Sequence, residues 1–130
     1  KHFDRIIIGN HGNKPLELDE SPFADITFNR FYGFNIKFNQ NNPFGKAAQT
    51  IKHLNLILHI NHQPPKNDVW KLLNTLVNVE RIQIDLNITE IPSKAFNQNN
   101  LKAIIIHSAN KTTLKKRAFY NSDNLNQLHF

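Results

Sequence analysis

Hydrophobic residues along this chain fall into six short groups with a shared internal spacing of one, four and six. They read Phe3-x-x-Ile6-x-Ile8, Phe31-x-x-Phe34-x-Ile36, Ile51-x-x-Leu54-x-Leu56, Val79-x-x-Ile82-x-Ile84, Leu101-x-x-Ile104-x-Ile106 and Leu125-x-x-Leu128-x-Phe130. Alternate side chains of a strand point to opposite faces, so positions four and six turn into the core together, while the residue between them faces solvent. The pattern predicts six strands, near Arg5–Gly9, Phe34–Phe38, Leu54–Leu58, Arg81–Asp85, Ala103–His107 and Gln127–Phe130. The groups start 28, 20, 28, 22 and 24 residues apart. No group buries its apolar side alone, but stacking them in parallel creates one continuous column.

A period in the range of 20–29 residues with this apolar spacing is the signature of a leucine-rich repeat. The expected fold is therefore an α/β leucine-rich repeat solenoid of about six irregular repeats, with the parallel sheet on its concave face. The six form a single array over residues 1–130 that lacks one or both caps. Asparagine at phrase position nine satisfies backbone groups where the chain leaves the strand. Asn39 and Asn87 hold that place, and His11, His59 and Ala109 depart from it. One large apolar residue per repeat, on the returning segment, plugs the far side of the core: Phe23, Phe44, Leu72 or Leu73, Phe96 and Phe119. Between strands, only Asn67–Leu76 has helical spacing, with Asp68 near its start. Six prolines (Pro15, Pro22, Pro43, Pro64, Pro65 and Pro92) break helices elsewhere. A parallel β-helix is the competing architecture. An ordinary α/β domain would need longer helices.

The phrase Ile91-Pro92-x-x-Ala95-Phe96, echoed by Arg117-Ala118-Phe119, resembles extracellular leucine-rich repeats of animals. The irregular repeat lengths and heavy asparagine use look most like arthropod secreted members, the group that includes the non-catalytic leucine-rich repeat subunit of shrimp luciferase. The resemblance is good over about residues 79–130 and rests on periodicity alone over residues 1–60. It implies a secreted, extracellular setting and carries no catalytic motif. The chain begins at Lys1, which fits a processed or trimmed product. The sequons Asn87-Ile-Thr89 and Asn110-Lys-Thr112 are candidate glycosylation sites, although a chain this rich in asparagine produces such triplets by chance. No apolar run reaches the 18 residues of a transmembrane helix.

With no cysteine, neither disulfides nor a cysteine–zinc site can form, and secreted leucine-rich repeats usually carry disulfides in their caps. His53, His59 and His62 lie along a strand and its exit, with Asp68 the nearby carboxylate. That set does not suggest tetrahedral zinc, so no metal is expected. Glu17, Asp19 and Glu20 read as solvated loop charge rather than an acid–base pair, and the Gly-x-Ser-x-Gly, phosphate-loop and His-Glu-x-x-His motifs are absent. The expectation is a protein without catalytic activity or cofactor.

The net charge is +6, and Lys111, Lys115, Lys116 and Arg117 crowd into seven residues. Such a run can attract polyanions, glycans or a charged surface. It has no interleaved aromatics, so nucleic acid is not the expected partner. The leading expectation is a scaffold that binds a protein on the concave sheet through Arg5, Asn35, Lys37, His53, Asn55, Arg81, Gln83, Asp85, His107 and His129. The alternative is polyanion, glycan or surface binding through 111–117. Self-association is expected through the C-terminal strand, whose last residue stands at phrase position six.

Overall fold

The computed structural model describes residues 1–19, 21–40, 42–58 and 69–130. In chain order the elements are β1 (His2–Gly9), β2 (Leu16–Leu18), β3 (Thr27–Phe38), a 3-10 helix (Gly45–Gln49) and β4 (His53–Leu58). There follow α1 (Val69–Asn74), β5 (Arg81–Asp85), β6 (Glu90–Ile91), β7 (Ala103–His107), β8 (Thr113–Leu114) and β9 (Gln127–His129). Six strands stack in the order β1-β3-β4-β5-β7-β9, all parallel and in sequence order. The last part of β3 also pairs with β2, and β6 pairs with β8 in a separate two-stranded sheet. This is a leucine-rich repeat solenoid with little helix. The start expected for its helix, Asn67 and Asp68, lies outside the described residues, as do His59, His62, Pro64, Pro65 and Glu20.

Three of the main strands, β5, β7 and β9, are entered in the same way. The Lys52 carbonyl accepts from the amides of Glu80 (2.8 Å) and Arg81 (3.1 Å). One repeat later the Glu80 carbonyl accepts from Lys102 and Ala103, and the Lys102 carbonyl from Asn126 and Gln127. The shared bonding pattern locks the register, and the register fixes which side chains turn inward.

In the second repeat that register differs from the sequence-based expectation. Phe28 aligns with Phe3, Phe31 with Ile6 and Leu54, and Gly33 with Ile8 and Leu56. The phrase therefore begins at Phe28, not Phe31, and reads Phe28-x-x-Phe31-x-Gly33. Repeat starts become 25, 23, 28, 22 and 24 residues apart, which is more even. The slip has a physical cause. Position six is a glycine, and a Cβ on Gly33 would lie 2.5 Å from Ile36 Cδ1 and 2.9 Å from the Phe31 ring. Ile36 fills the space that an ordinary position-six side chain would occupy. It gets there through a bulge between Phe34 and Ile36, where Asn35 takes a left-handed φ of 49°. Asparagine tolerates that conformation better than most residues. Asn35 Nδ2 also donates to the carbonyls of Asn10, Gly12 and Lys14 at 2.9–3.2 Å, anchoring the loop before β2.

The column then closes as the pattern requires. Position one (Phe28, Ile51, Val79, Leu101) and position four (Phe31, Leu54, Ile82, Ile104) are buried through the four inner repeats. Fully burying side chains of this kind contributes roughly 1.5–3 kcal/mol each. On the far side, Phe23, Phe44, Leu72, Leu73 and Phe96 are buried and Phe119 half-buried, as expected. Phe23 stacks on Phe44 (centroids 6.0 Å) and Phe96 on Phe119 (5.8 Å), while Trp70 meets Phe96 edge-on at 5.6 Å.

Polar side chains tie consecutive repeats together through backbone groups. Asn74 Nδ2 donates to the Ala95 carbonyl at 3.1 Å, Asn78 to Gln49 at 2.8 Å and Asn124 to Asn99 at 2.7 Å. Buried Gln98 donates to the Leu73 carbonyl at 2.6 Å. Each partner lies about one repeat away, which gives the heavy use of asparagine a structural reason. Asn39 stands in the bend where the chain leaves β3. It is exposed and joins the repeat before it through its backbone amide, which donates to Leu18.

Candidate functional site

The solvent face of the six-stranded sheet consists of three rows that cross the strands, with neighbouring strands about 4.8 Å apart. Position three supplies Arg5, Arg30, His53, Arg81, Ala103 and Gln127. Position five supplies Ile7, Tyr32, Asn55, Gln83, Ile105 and His129. Position seven supplies Gly9, Phe34, Ile57, Asp85 and His107. The first row carries three arginines and a histidine on four consecutive strands. The second has a phenol and two amides at its centre, between Ile7 on one side and Ile105 and His129 on the other, and the third is apolar at one end and polar at the other.

Of the ten expected binding residues, Arg5, His53, Asn55, Arg81, Gln83, Asp85, His107 and His129 occupy these rows. Asn35 and Lys37 do not. Asn35 sits in the bulge with its amide bonded to the 10–14 loop. Lys37 lies beyond the bulge, aligned with Glu17 of β2 and 3.9 Å from its carboxylate. Gly33 is buried beneath the face. The three-residue slip hid Arg30, Tyr32 and Phe34, which take their places. The evenness of repeat starts counted from Phe28 was the signal that would have found them.

Arg5, Arg30, His53 and Arg81 line one side of a shallow depression of about 160 Å³, and Tyr32, Asn55 and Gln83 line the other. Arg30 donates to the Asp4 carboxylate at 2.5 Å. That hydrogen bond holds the Asp4 carboxyl below its ordinary value of 3.8, against a weaker opposing effect of desolvation. A carboxyl lowered in this way stabilises the fold above the ordinary range and ceases to do so as pH falls through its lowered value. An NMR titration of the Asp4 side chain should give a midpoint below 3.8 that Arg30→Gln moves upward. An unmoved midpoint would show that the pair does not persist in solution.

Elsewhere charge is balanced across the strands. Glu80 stands between Lys52 (3.8 Å) and Lys102 (3.5 Å), and Glu90 pairs with Lys115 at 3.1 Å. The basic run is thus dispersed. Lys115 is paired, Lys111, Lys116 and Arg117 are exposed, and Arg117 has a φ of 62°. Of the two sequons, Asn110 is exposed, whereas Asn87 is half-buried and its Oδ1 accepts from the Ala109 amide at 3.2 Å.

Parallel strands in sequence order, a shared apolar phrase and a solvent face of registered rows define a leucine-rich repeat array. More particularly, the family described as BspA type leucine-rich repeat region (6 copies) matches residues 72–130. Neither the curated proteins nor the solved structures contain a match to this chain. Among the described residues, no helix is long and apolar enough to cross a membrane.

Proposed function

We propose that this chain is a non-catalytic scaffold that binds a protein partner on the solvent face of its parallel sheet. The observation that carries the reading is the chemistry of the three rows, where cations, amides, a phenol and aliphatics lie open side by side. Ile7 is 58% and Ile57 37% exposed, Ile7 aligned with Tyr32 and Ile57 standing between Phe34 and Asp85, so apolar and polar groups are interleaved. Such a mixture suits a protein interface better than a lipid surface. Leucine-rich repeat arrays commonly present this face to other proteins. The test compares proteins retained from a native extract by the wild-type chain and by Asn55→Ala/Gln83→Ala. A partner lost with the variant supports the scaffold, and an identical set of retained proteins overturns it.

The extracellular setting suggested by the animal-type Ile91-Pro92-x-x-Ala95-Phe96 phrase belongs to the same proposal. In that setting Asn110 would take a glycan more readily than Asn87, whose side chain already links two repeats. Self-association is proposed through β9, where Leu128 is 47% and Phe130 51% exposed. Sedimentation at rising concentration should show association that Leu128→Lys weakens. A monomer indifferent to that substitution would remove β9 as the contact.

A further inference from the structure

We propose that the partner segment is an acidic and aliphatic peptide lying across the strands of repeats one to four. Its carboxylates would lie on the Arg5–Arg30–His53–Arg81 row and its aliphatic side chains against Ile7, Phe34 and Ile57. This inference rests on the sheet-face scaffold and names the chemistry of what binds there.

Three observations carry it. The first is charge only partly answered locally, by Asp4, which pairs with Arg30 and also attracts Arg5. Position two carries a compensated ladder, Lys52–Glu80–Lys102, whereas the adjacent position three puts three arginines and a histidine on four consecutive strands. Among the described residues only Arg30 of that row has an ion-pair partner, Asp4. Arg5 and Arg81 are left as planar donors that match the two oxygens of a carboxylate.

The second observation is the depression itself. The cationic side faces Tyr32, Asn55 and Gln83 across it. An amide can both donate to and accept from a peptide backbone, so this middle row supplies what a main chain needs.

The third is the apolar row beyond. Phe34 lies against His11 (ring centroids 4.7 Å) and covers Gly9, where an added Cβ would fall 2.3 Å from the Phe34 carbonyl oxygen. Phe34 and the exposed Ile57 form a short aromatic and aliphatic strip parallel to the cations, and the exposed Ile7 lies one row nearer to them, aligned with Tyr32. A sulfated polysaccharide would use the cations and leave this strip uncovered. A peptide with both carboxylates and aliphatic side chains uses all three rows, so the peptide is the better fit.

The test uses fluorescein-labelled twelve-residue peptides and fluorescence anisotropy. One peptide contains Glu and Leu with Gly spacers, a second has Gln in place of Glu, a third has Gly in place of Leu, and a heparin hexasaccharide is added for comparison. The Glu/Leu peptide should bind most tightly and weaken with salt. Losing two exposed charge contacts of roughly 0.2–1 kcal/mol each predicts a loss of about twofold to thirtyfold for Arg5→Gln/Arg81→Gln. Arg5→Lys/Arg81→Lys should recover part of it, and Ile7→Ser should weaken the Glu/Leu peptide but not the Leu-free one. Unchanged melting temperatures would show that the variants fold. Tighter binding of heparin than of any peptide, equal binding of the Glu and Gln peptides, or no peptide binding at millimolar concentration would each overturn the proposal. If an extract partner depends on Asn55 and Gln83 but not on Arg5 and Arg81, the scaffold stands and the acidic-peptide inference falls.

Discussion

Phe31→Ala is expected to destabilise the chain by about 3–5 kcal/mol, the range for removing a fully buried aromatic side chain. Phe31 is 1% exposed and packs against Phe23 (5.5 Å), Phe28 (5.8 Å) and Phe44 (5.0 Å). Three buried rings would therefore lose their shared centre. Phe34→Ala, three residues along the same strand, removes a ring from the solvent face and should cost well under half as much. The pair distinguishes the two registers of repeat two, because a phrase starting at Phe31 would put Phe34 inside. Equal losses in urea denaturation would reject the register drawn from the backbone pairing.

The second large effect lies at the other end of the array. Ile104→Ala should cost about 2–5 kcal/mol, since Ile104 is fully buried between Ile82 and Leu128 in the position-four column. Ile105, its neighbour in sequence, is half-buried on the opposite face, aligned with Gln83 and His129. Its replacement by alanine should cost distinctly less. If thermal or denaturant unfolding ranks the two variants the other way, β7 is turned over.

These contrasts also mark what could be read from the sequence. Strand order, and the inward faces of repeats one, three, four and five, followed from apolar spacing, because Ile51, Leu54 and Leu56 have equivalents one repeat on with the same burial. The second repeat misled for a specific reason. Both Phe31 and Phe34 are aromatic, and Ile36 stands two residues after Phe34, so a shifted phrase scores better than one ending on Gly33. The bulge that makes Gly33 tolerable depends on Asn35 reaching the 10–14 loop, a contact across a whole repeat. For the same reason the pairing of β2 with β3, the β6–β8 sheet and the bond from Gln98 to Leu73 were not legible. Each joins segments far apart in sequence with no periodic signal of its own. The face was legible where the register was right, which is why Arg81, Gln83 and Asp85 were found and Arg30 and Tyr32 were not.

Every strand pairing in the main sheet joins one turn to the next, and the Asn74, Asn78, Asn124 and Gln98 bonds span the same single step. An array connected in this way behaves as a chain of coupled units rather than as one indivisible body. Its cooperativity is only as strong as its weakest link between neighbours, and a fault is felt one turn away before it is felt at the far end. Under mild stress, a row of side chains spread over four turns would give up its contacts turn by turn rather than all at once.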